Sequence, residues 1–170
     1  MPRASNVLNV KPHSEEVRTG ISATDRKTIA QVLSSILTDT YLLVIKSHVY
    51  HWNVVGPLFQ PIHEMTEDHY ESLFKACDDL AERIRALGHT APLTDKRVLA
   101  DGNITIDRTA PTAGEMVKEL VADHEALCRK MRDCAEMAEE KSDFVTHDLL
   151  TGRLTYHEKA IWMMRAIIAE

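Results

Sequence analysis

The stretch SHVYHWNVVGPLFQPIHEM, residues 47–65, joins two long helical patterns through a Gly-Pro break and holds three histidines. Before it, apolar residues recur at helical spacing across residues 29–44, which predicts a first helix over about residues 24–52. Gly56 and Pro57 end that helix, because both residue types interrupt regular backbone structure. The stretch therefore predicts a helical hairpin whose turn is lined by histidines.

The rest of the chain repeats this pattern of long helices with clear end signals. A second helix is expected over about residues 59–87, with Gly88 as a left-handed C-cap. The third begins at the T-x-x-E capping box that opens with Thr112 and continues to about Lys141. The fourth follows Ser142 and continues to the C-terminus. The sequence thus predicts an all-α four-helix bundle of two antiparallel hairpins.

The connection between the second and third helices is long enough to cross the bundle. It spans residues 89–111 and includes a short helical pattern at 94–100, and connections of this length usually have a function. Residues 1–20 are polar and aperiodic, which predicts a flexible N-terminal tail. The domain itself is expected to comprise residues 21–170.

Composition narrows the function classes. The chain has 170 residues, of which 44% are hydrophobic, and a formal net charge of -6, which suits one soluble domain and disfavours a simple basic nucleic-acid binder. No membrane span or signal-peptide core is expected, so we expect a cytoplasmic protein. The chain has an odd number of cysteines, and they show no C-x-x-C spacing, so we expect reduced thiols at Cys77, Cys128 and Cys134.

Two i,i+4 pairs on the second helix present imidazole and carboxylate groups on one face. His63 and Glu67 form the first pair, and Asp78 and Glu82 form the second. The four positions span about 100° of the helical wheel. His51 lies just across the turn from His63 and is a natural third member of the first pair. Such ligands suit iron, manganese or zinc.

The two pairs are too far apart along the helix to hold one ion in one chain. Glu67 and Asp78 are separated by about 16 Å at 1.5 Å per residue, whereas metal–ligand bonds are about 2.0–2.2 Å. Two copies of this helix, packed antiparallel about a dyad near Ser72, would bring the pairs together across a dimer. The alternatives are a histidine satisfied in the core or at the surface, and a solvated acidic face. Trp52 is either a packed aromatic or a neighbour of the metal.

Residues 46–88, KSHVYHWNVVGPLFQPIHEMTEDHYESLFKACDDLAERIRALG, resemble the signature of the Dps proteins, the mini-ferritins. Residues 146–166, THDLLTGRLTYHEKAIWMMRA, are similar to the last helix of that family. The resemblance covers about residues 24–170 and leaves the tail outside. It implies a ferritin-like four-helix bundle with a long crossover, and a hollow homododecamer. It also implies a ferroxidase that oxidises Fe(II), typically with hydrogen peroxide, and stores the ferric mineral.

The resemblance also implies a set of ligands at two-fold dimer interfaces, with iron as the metal and no organic cofactor. His51, His63 and Glu67 would come from one subunit, and Asp78 and Glu82 from its partner. Many relatives have Asp where this chain has Glu67. The resemblance further places Trp52 and His48 near the site, with His48 not a ligand. Asp143 and Asp148 are candidates for lining an iron pore; the alternative for them is a carboxylate at a helix N-terminus.

Three other functions compete with this prediction. A conventional ferritin would place E-x-x-H motifs inside the bundle, and no E-x-x-H occurs here. A nucleoid protein that mainly compacts DNA would need a basic tail. Residues 1–18 offer only Arg3, Lys11 and Arg18 against two glutamates, so direct DNA binding is expected to be weak. The third is a helical scaffold whose histidines are fortuitous.

Overall fold

The computed structural model describes residues 9–92, 102–105 and 110–169. Within these residues all regular structure is helical, which confirms the all-α prediction. The described helices are α1 (Ala23–Asn53), α2 (Phe59–Ala86), α3 (Ala113–Glu140) and α4 (Phe144–Ile167).

The helices pack as two hairpins around one apolar core. α1 lies mainly against α2, α3 lies mainly against α4, and α1 also contacts α3 across the bundle. Full burial of a large apolar side chain contributes roughly 1.5–3 kcal/mol to the free energy of folding before conformational entropy is subtracted. The largest side chains that are fully buried are Ile29, Leu33, Ile36, Leu43, Ile62, Leu73, Leu80, Ile84, Leu87, Leu120, Leu127 and Met131.

The ends of the helices follow the capping signals in the sequence. The Ser22 hydroxyl accepts the backbone N–H of Asp25 at the start of α1. Thr112 and Glu115 form the predicted capping box at the start of α3. Gly88 has φ 88°, as expected for a left-handed residue after α2. Each cap satisfies backbone groups that the helix leaves unpaired.

Asp143 caps α4 and is buried against α2. Its side chain accepts the backbone N–H of Thr146 at 3.0 Å and pairs with the Arg83 guanidinium at 2.6 Å. Burial alone would raise the pKa of Asp143, but hydrogen bonds from Arg83 and Thr146 hold it below its ordinary value. The carboxylate therefore ties the α3–α4 corner to the C-terminal part of α2.

The long connection is attached to the bundle at Asn103. Its backbone N–H donates to Asp39 at 2.8 Å, and Asp39 also pairs with Lys130 at 2.6 Å. The predicted short helix at 94–100 lies outside the described residues.

The described part of the tail contacts the end of α2. Glu15 donates its backbone N–H to the Gly88 carbonyl at 2.8 Å, and its carboxylate pairs with Arg85 at 3.1 Å. The flexibility of the tail stays a prediction. Any such motion has to leave Glu15 in contact with the end of α2.

α1 is long and apolar enough for a membrane span by length and composition, but 61% of that apolar window is buried inside the bundle. It is the core helix of the bundle. Cys77, Cys128 and Cys134 are free and buried, and their reduced state stays a prediction. Burial raises the pKa of Cys77 and Cys134 to about 12, so these two thiols stay protonated and unreactive at neutral pH.

Candidate metal centre

Two histidines face each other across the α1–α2 turn, and we call them the open histidine pair. The rings of His51 and His63 stack with centroids 3.7 Å apart. The Nδ1 of each ring lies 2.8 Å from the backbone carbonyl oxygen of the other residue. A carbonyl accepts only from a protonated nitrogen, so both Nδ1 atoms carry the hydrogen when the rings are neutral. Both Nε2 atoms then have a free lone pair for a metal.

The turn that the sequence predicts produces this arrangement. His51 lies in the last turn of α1, and His63 lies one turn into α2, after the break at Gly56. His51 is 9% exposed and His63 is half-buried, so the pair lies at the edge of the bundle rather than in its core. An incoming ion would reach it from the protein surface.

The three carboxylates of the predicted ligand set are exposed on α2. Glu67 lies one turn beyond His63, and the Tyr70 hydroxyl donates to it at 3.4 Å. Asp78 and Glu82 lie nearer the other end of the helix. Carboxylates and imidazoles of this kind fit an iron site, because iron accepts both nitrogen and oxygen ligands.

One chain does not complete the set. Among the described residues, no group of three or more His, Cys, Asp or Glu side chains is placed to hold a metal ion. The structure brings His51 and His63 together, whereas Asp78 lies about 22 Å beyond His63 along α2 at 1.5 Å per residue, and Glu82 lies one turn farther. The assignment of all five as ligands of one site stays a prediction that needs a second chain.

Large apolar side chains are exposed beside the open histidine pair. Trp52 is 67% exposed, Val55 76% and Phe59 45%. Phe59 stacks on His63 with ring centroids 5.0 Å apart. Grouped exposed apolar side chains typically mark a surface that another protein covers. This surface borders the open histidine pair.

His48 is held by aromatic contacts rather than aimed at the open pair. It stacks on Trp52 at 5.1 Å and lies 3.8 Å from the Tyr70 ring centroid. These contacts agree with the sequence prediction that His48 lies near the site without being a ligand, which stays untested.

The two candidate pore residues differ in environment. Asp143 is 1% exposed and is engaged by Arg83 and Thr146, which is the helix-cap alternative considered from the sequence. Asp148 is exposed on α4. A pore role therefore remains a prediction, and Asp148 is the member with a solvated carboxylate.

Sequence reasoning missed a second histidine cluster inside the bundle. His69, His124 and His157 lie on three different helices and are 4%, 0% and 0% exposed. The sequence signal that could have found them is helical periodicity, because each histidine lies on the apolar stripe of its helix. His69 is one turn from the core residue Leu73, and His124 is one turn from the core residue Leu127.

Comparison with known proteins identifies the family. The ferritin-like domain family matches residues 30–170. The chain is 37% identical to an uncharacterized low temperature-induced protein of Nostoc sp., over 89% of this chain and 86% of that protein. It is 34% identical to DNA protection during starvation protein 2 of Bacillus anthracis, over 84% of this chain and 97% of that protein.

A solved structure agrees with this assignment. The Dps protein of Vibrio cholerae O1, described as a member of a broad superfamily of ferritin-like diiron-carboxylate proteins, superposes with a TM-score of 0.84. The match has 25% identity and covers 92% of this chain and 98% of that one. With the ferritin-like domain spanning most of the sequence, and with Dps relatives above 30% identity, the chain belongs to the Dps family of ferritin-like proteins.

Proposed function

We propose that this protein is a ferroxidase and iron-storage subunit that works as a shell of twelve copies. In the proposed reaction, two Fe(II) ions each lose one electron to hydrogen peroxide, and two protons are taken up to give two waters. The observation that supports it most is the open histidine pair, oriented by reciprocal backbone hydrogen bonds and bordered by exposed apolar side chains.

Iron is the substrate, and the ligands are divided between two chains. His51 and His63 would bind through Nε2, and Glu67 would supply a carboxylate from the same subunit. The partner subunit's Asp78 and the partner subunit's Glu82 would complete the site. Carboxylates are hard ligands that favour Fe(III) over Fe(II), so this set makes oxidation of the bound ion easier.

The remaining residues at the turn have positioning roles. The carbonyl oxygens of residues 51 and 63 fix the histidine tautomers and so keep the lone pairs aimed outward. Trp52 and Phe59 would be covered on dimerisation, which removes water from the edge of the site and strengthens its electrostatic interactions. Two-electron reduction of peroxide at such a site releases no hydroxyl radical, and this would protect DNA.

The reaction is tested by an anaerobic Fe(II) titration followed by peroxide. We expect saturable Fe(II) binding, rapid oxidation on peroxide addition, two iron ions consumed per peroxide, and little spin-trapped hydroxyl radical. One iron ion oxidised per peroxide, with abundant trapped radical, would indicate uncatalysed chemistry and contradict the proposal.

The assembly is tested by light scattering. A shell of twelve chains should have about twelve times the chain mass of 19.2 kDa. A stable monomer at low micromolar concentration that oxidises iron at full rate would contradict a site shared between chains.

We further propose that DNA is protected chemically rather than by tight coating, in a cytoplasmic and partly nucleoid-associated shell. In the described tail, Arg18 pairs with Glu16 at 2.9 Å, and both side chains are exposed. In the described part of the tail this pairing reduces the positive charge that Arg18 can offer to phosphates. The Debye length is about 8 Å at physiological salt, so exposed charges act only at short range.

A gel-shift series tests this DNA prediction with the intact protein and a version lacking residues 1–18. Weak binding at 150 mM salt by both proteins is expected. Avidity among several tails is the competing effect. Tight binding that disappears with the tail would make DNA compaction the main function.

A further inference from the structure

Three imidazoles from three helices converge inside the bundle, in a more deeply buried environment than that of the open histidine pair. His69 of α2, His124 of α3 and His157 of α4 form a chain of ring contacts. The centroids of His69 and His124 are 5.2 Å apart, and those of His124 and His157 are 4.8 Å apart. We call His124 and His157 the buried histidine pair, and His69 is the neighbour beside it.

Polar atoms without a partner are concentrated around these rings. Buried polar groups almost always have a hydrogen-bond partner, so each exception requires an explanation. Here Nδ1 of His69 and Nε2 of both His124 and His157 are buried without one among the described residues. Two guanidinium nitrogens of Arg153 share this condition. An ion held at the Nδ1 atoms of this cluster would engage Nδ1 of His69, whereas the two outer Nε2 atoms would then be N–H donors that need ordered water as acceptor.

The two rings of the buried histidine pair contact each other through their Nδ1 atoms. Nδ1 of His124 and Nδ1 of His157 are 3.0 Å apart, so one must donate to the other when no ligand is present. Two imidazole nitrogens that bind one tetrahedral ion at about 2.0–2.1 Å lie about 3.3 Å apart. Only a few tenths of an ångström therefore separate the observed contact from that of two ligands on one ion.

The charge state of the pair also suits a metal. Burial, followed by repulsion from Arg153, lowers the pKa of His157 to about 3. Burial, followed by repulsion from His157, lowers the pKa of His124 well below its ordinary value. Both rings are therefore neutral at pH 7, and neutral imidazole is the metal-binding form.

We propose that His124 and His157 bind one divalent transition-metal ion of the zinc type through their Nδ1 atoms, with His69 turning in as the third ligand. The set has no carboxylate, so it favours Zn²⁺ or Co²⁺ over the hard ions that oxygen ligands prefer. The ion would join α2, α3 and α4 in the core of each chain. It is chemically distinct from the proposed shared iron site and needs no second subunit.

Two features limit the affinity. In the described part of the chain no three such side chains yet surround one point, so His69 must rotate when the ion binds. The Arg153 guanidinium, 4.3 Å from the Tyr156 ring centroid, repels a dication. The competing occupant is ordered water, which commonly fills buried polar sites.

Cobalt titration of intact, chelator-treated shells tests the site. The shells contain His63→Ala and Asp78→Ala, so that the proposed iron site cannot bind the probe. We expect one Co²⁺ per chain by equilibrium dialysis, with the visible absorption of tetrahedral cobalt bound to nitrogen. Binding should fall at least tenfold when His124→Leu and His157→Leu are added, and it should not change with His147→Leu, a matched control on α4.

A second measurement keeps the proposal testable if the leucine variants do not assemble. Crystals of the His63→Ala and Asp78→Ala shell, soaked in Zn²⁺, should show an anomalous peak bonded to Nδ1 of both His124 and His157. Absence of that peak together with no stoichiometric Co²⁺ binding would overturn the proposal and assign the cluster to water or direct hydrogen bonding. Cobalt binding that persists in assembled leucine variants would also overturn it.

Discussion

The open and buried histidine pairs place the same side chain in two opposite environments. At the α1–α2 turn, each Nδ1 of His51 and His63 meets a backbone carbonyl, which leaves the lone pair of each neutral ring on Nε2. In the core, the Nδ1 atoms of His124 and His157 meet each other, and each Nε2 is buried without a partner. The first pair is therefore the one proposed to bind the substrate ion, and the second is enclosed in the core of the bundle.

The difference shows that the partner of the other ring nitrogen decides what a histidine is available to do. A backbone carbonyl is a fixed acceptor, so it selects one tautomer and releases the opposite nitrogen for binding. Two facing imidazoles share one proton between them and leave both outer nitrogens without a fixed role. Substitution and pH should therefore separate the two pairs, by activity in one case and by stability in the other.

The largest effect is expected at the shared iron site. His51→Ala and Asp78→Ala should each reduce the initial rate of peroxide-driven Fe(II) oxidation by more than about 100-fold, since loss of even a supporting residue costs 10–100-fold. Asp68→Ala, an exposed Asp on the same helix, is the matched control and should keep the rate. Stopped-flow absorbance of assembled shells measures it. If either ligand variant keeps its activity, that residue is not a ligand of the iron site.

Substitution in the buried pair should act on stability instead. His157→Ala leaves a cavity and removes the hydrogen-bond partner of His124, which should cost about 2–4 kcal/mol of unfolding free energy. His147→Ala, a half-buried histidine on the same helix, should cost less than about 1 kcal/mol. Urea unfolding at fixed protein concentration compares them. Assembled His157→Ala shells should oxidise iron at the normal rate, and a lost rate would break the distinction between the pairs.

Acid should destabilise the protein through the buried pair. Both folded-state pKa values are depressed, so the unfolded chain binds more protons, and stability is fully present above about pH 6.5. Below that pH each histidine should cost about 1.4 kcal/mol per pH unit, down to its folded pKa. Asp123 has the opposite effect on stability. Its pKa is raised chiefly by burial, so the folded chain binds this proton more tightly than the unfolded chain does, and the group favours folding as the pH falls.

The slope of unfolding free energy between pH 6 and pH 4.5 measures this effect. His157→Gln should flatten the slope relative to the wild type by roughly the share of one histidine. The carboxylate of Asp143 contributes to the slope only at lower pH, because its pKa is held down: its stabilisation is complete above the unfolded pKa of about 3.8 and is lost as the pH falls from there through the folded pKa. An unchanged slope in the variant would show that His157 does not titrate differently on unfolding.

The sequence was sufficient for the helices because their ends have local signals. The predicted first helix over about residues 24–52 is Ala23–Asn53, and the capping box at Thr112 forms as expected. The fourth helix is capped by Asp143, one residue after the predicted boundary at Ser142. Capping chemistry acts over three or four residues, so it can be recognised without knowledge of the tertiary fold.

The open histidine pair was also accessible from the sequence, because its members lie twelve residues apart across one turn. The buried pair was not, because His124 and His157 are separated by 33 residues and meet only through packing of α3 on α4. Helical periodicity places each on an apolar stripe, but it does not determine which residues of two stripes come into contact.

The most direct test of the shared site is activity in mixed shells. Chains carrying His51→Ala and chains carrying Asp78→Ala are co-expressed, and mass spectrometry confirms that single shells contain both. Each mixed dimer has one site that lacks both ligands and one site that is intact. Random pairing makes about half of the dimers mixed, so about a quarter of all sites, and of the wild-type oxidation rate, should be restored. Activity that stays at the level of the two inactive parents would show that the ligands come from a single chain and would contradict the account.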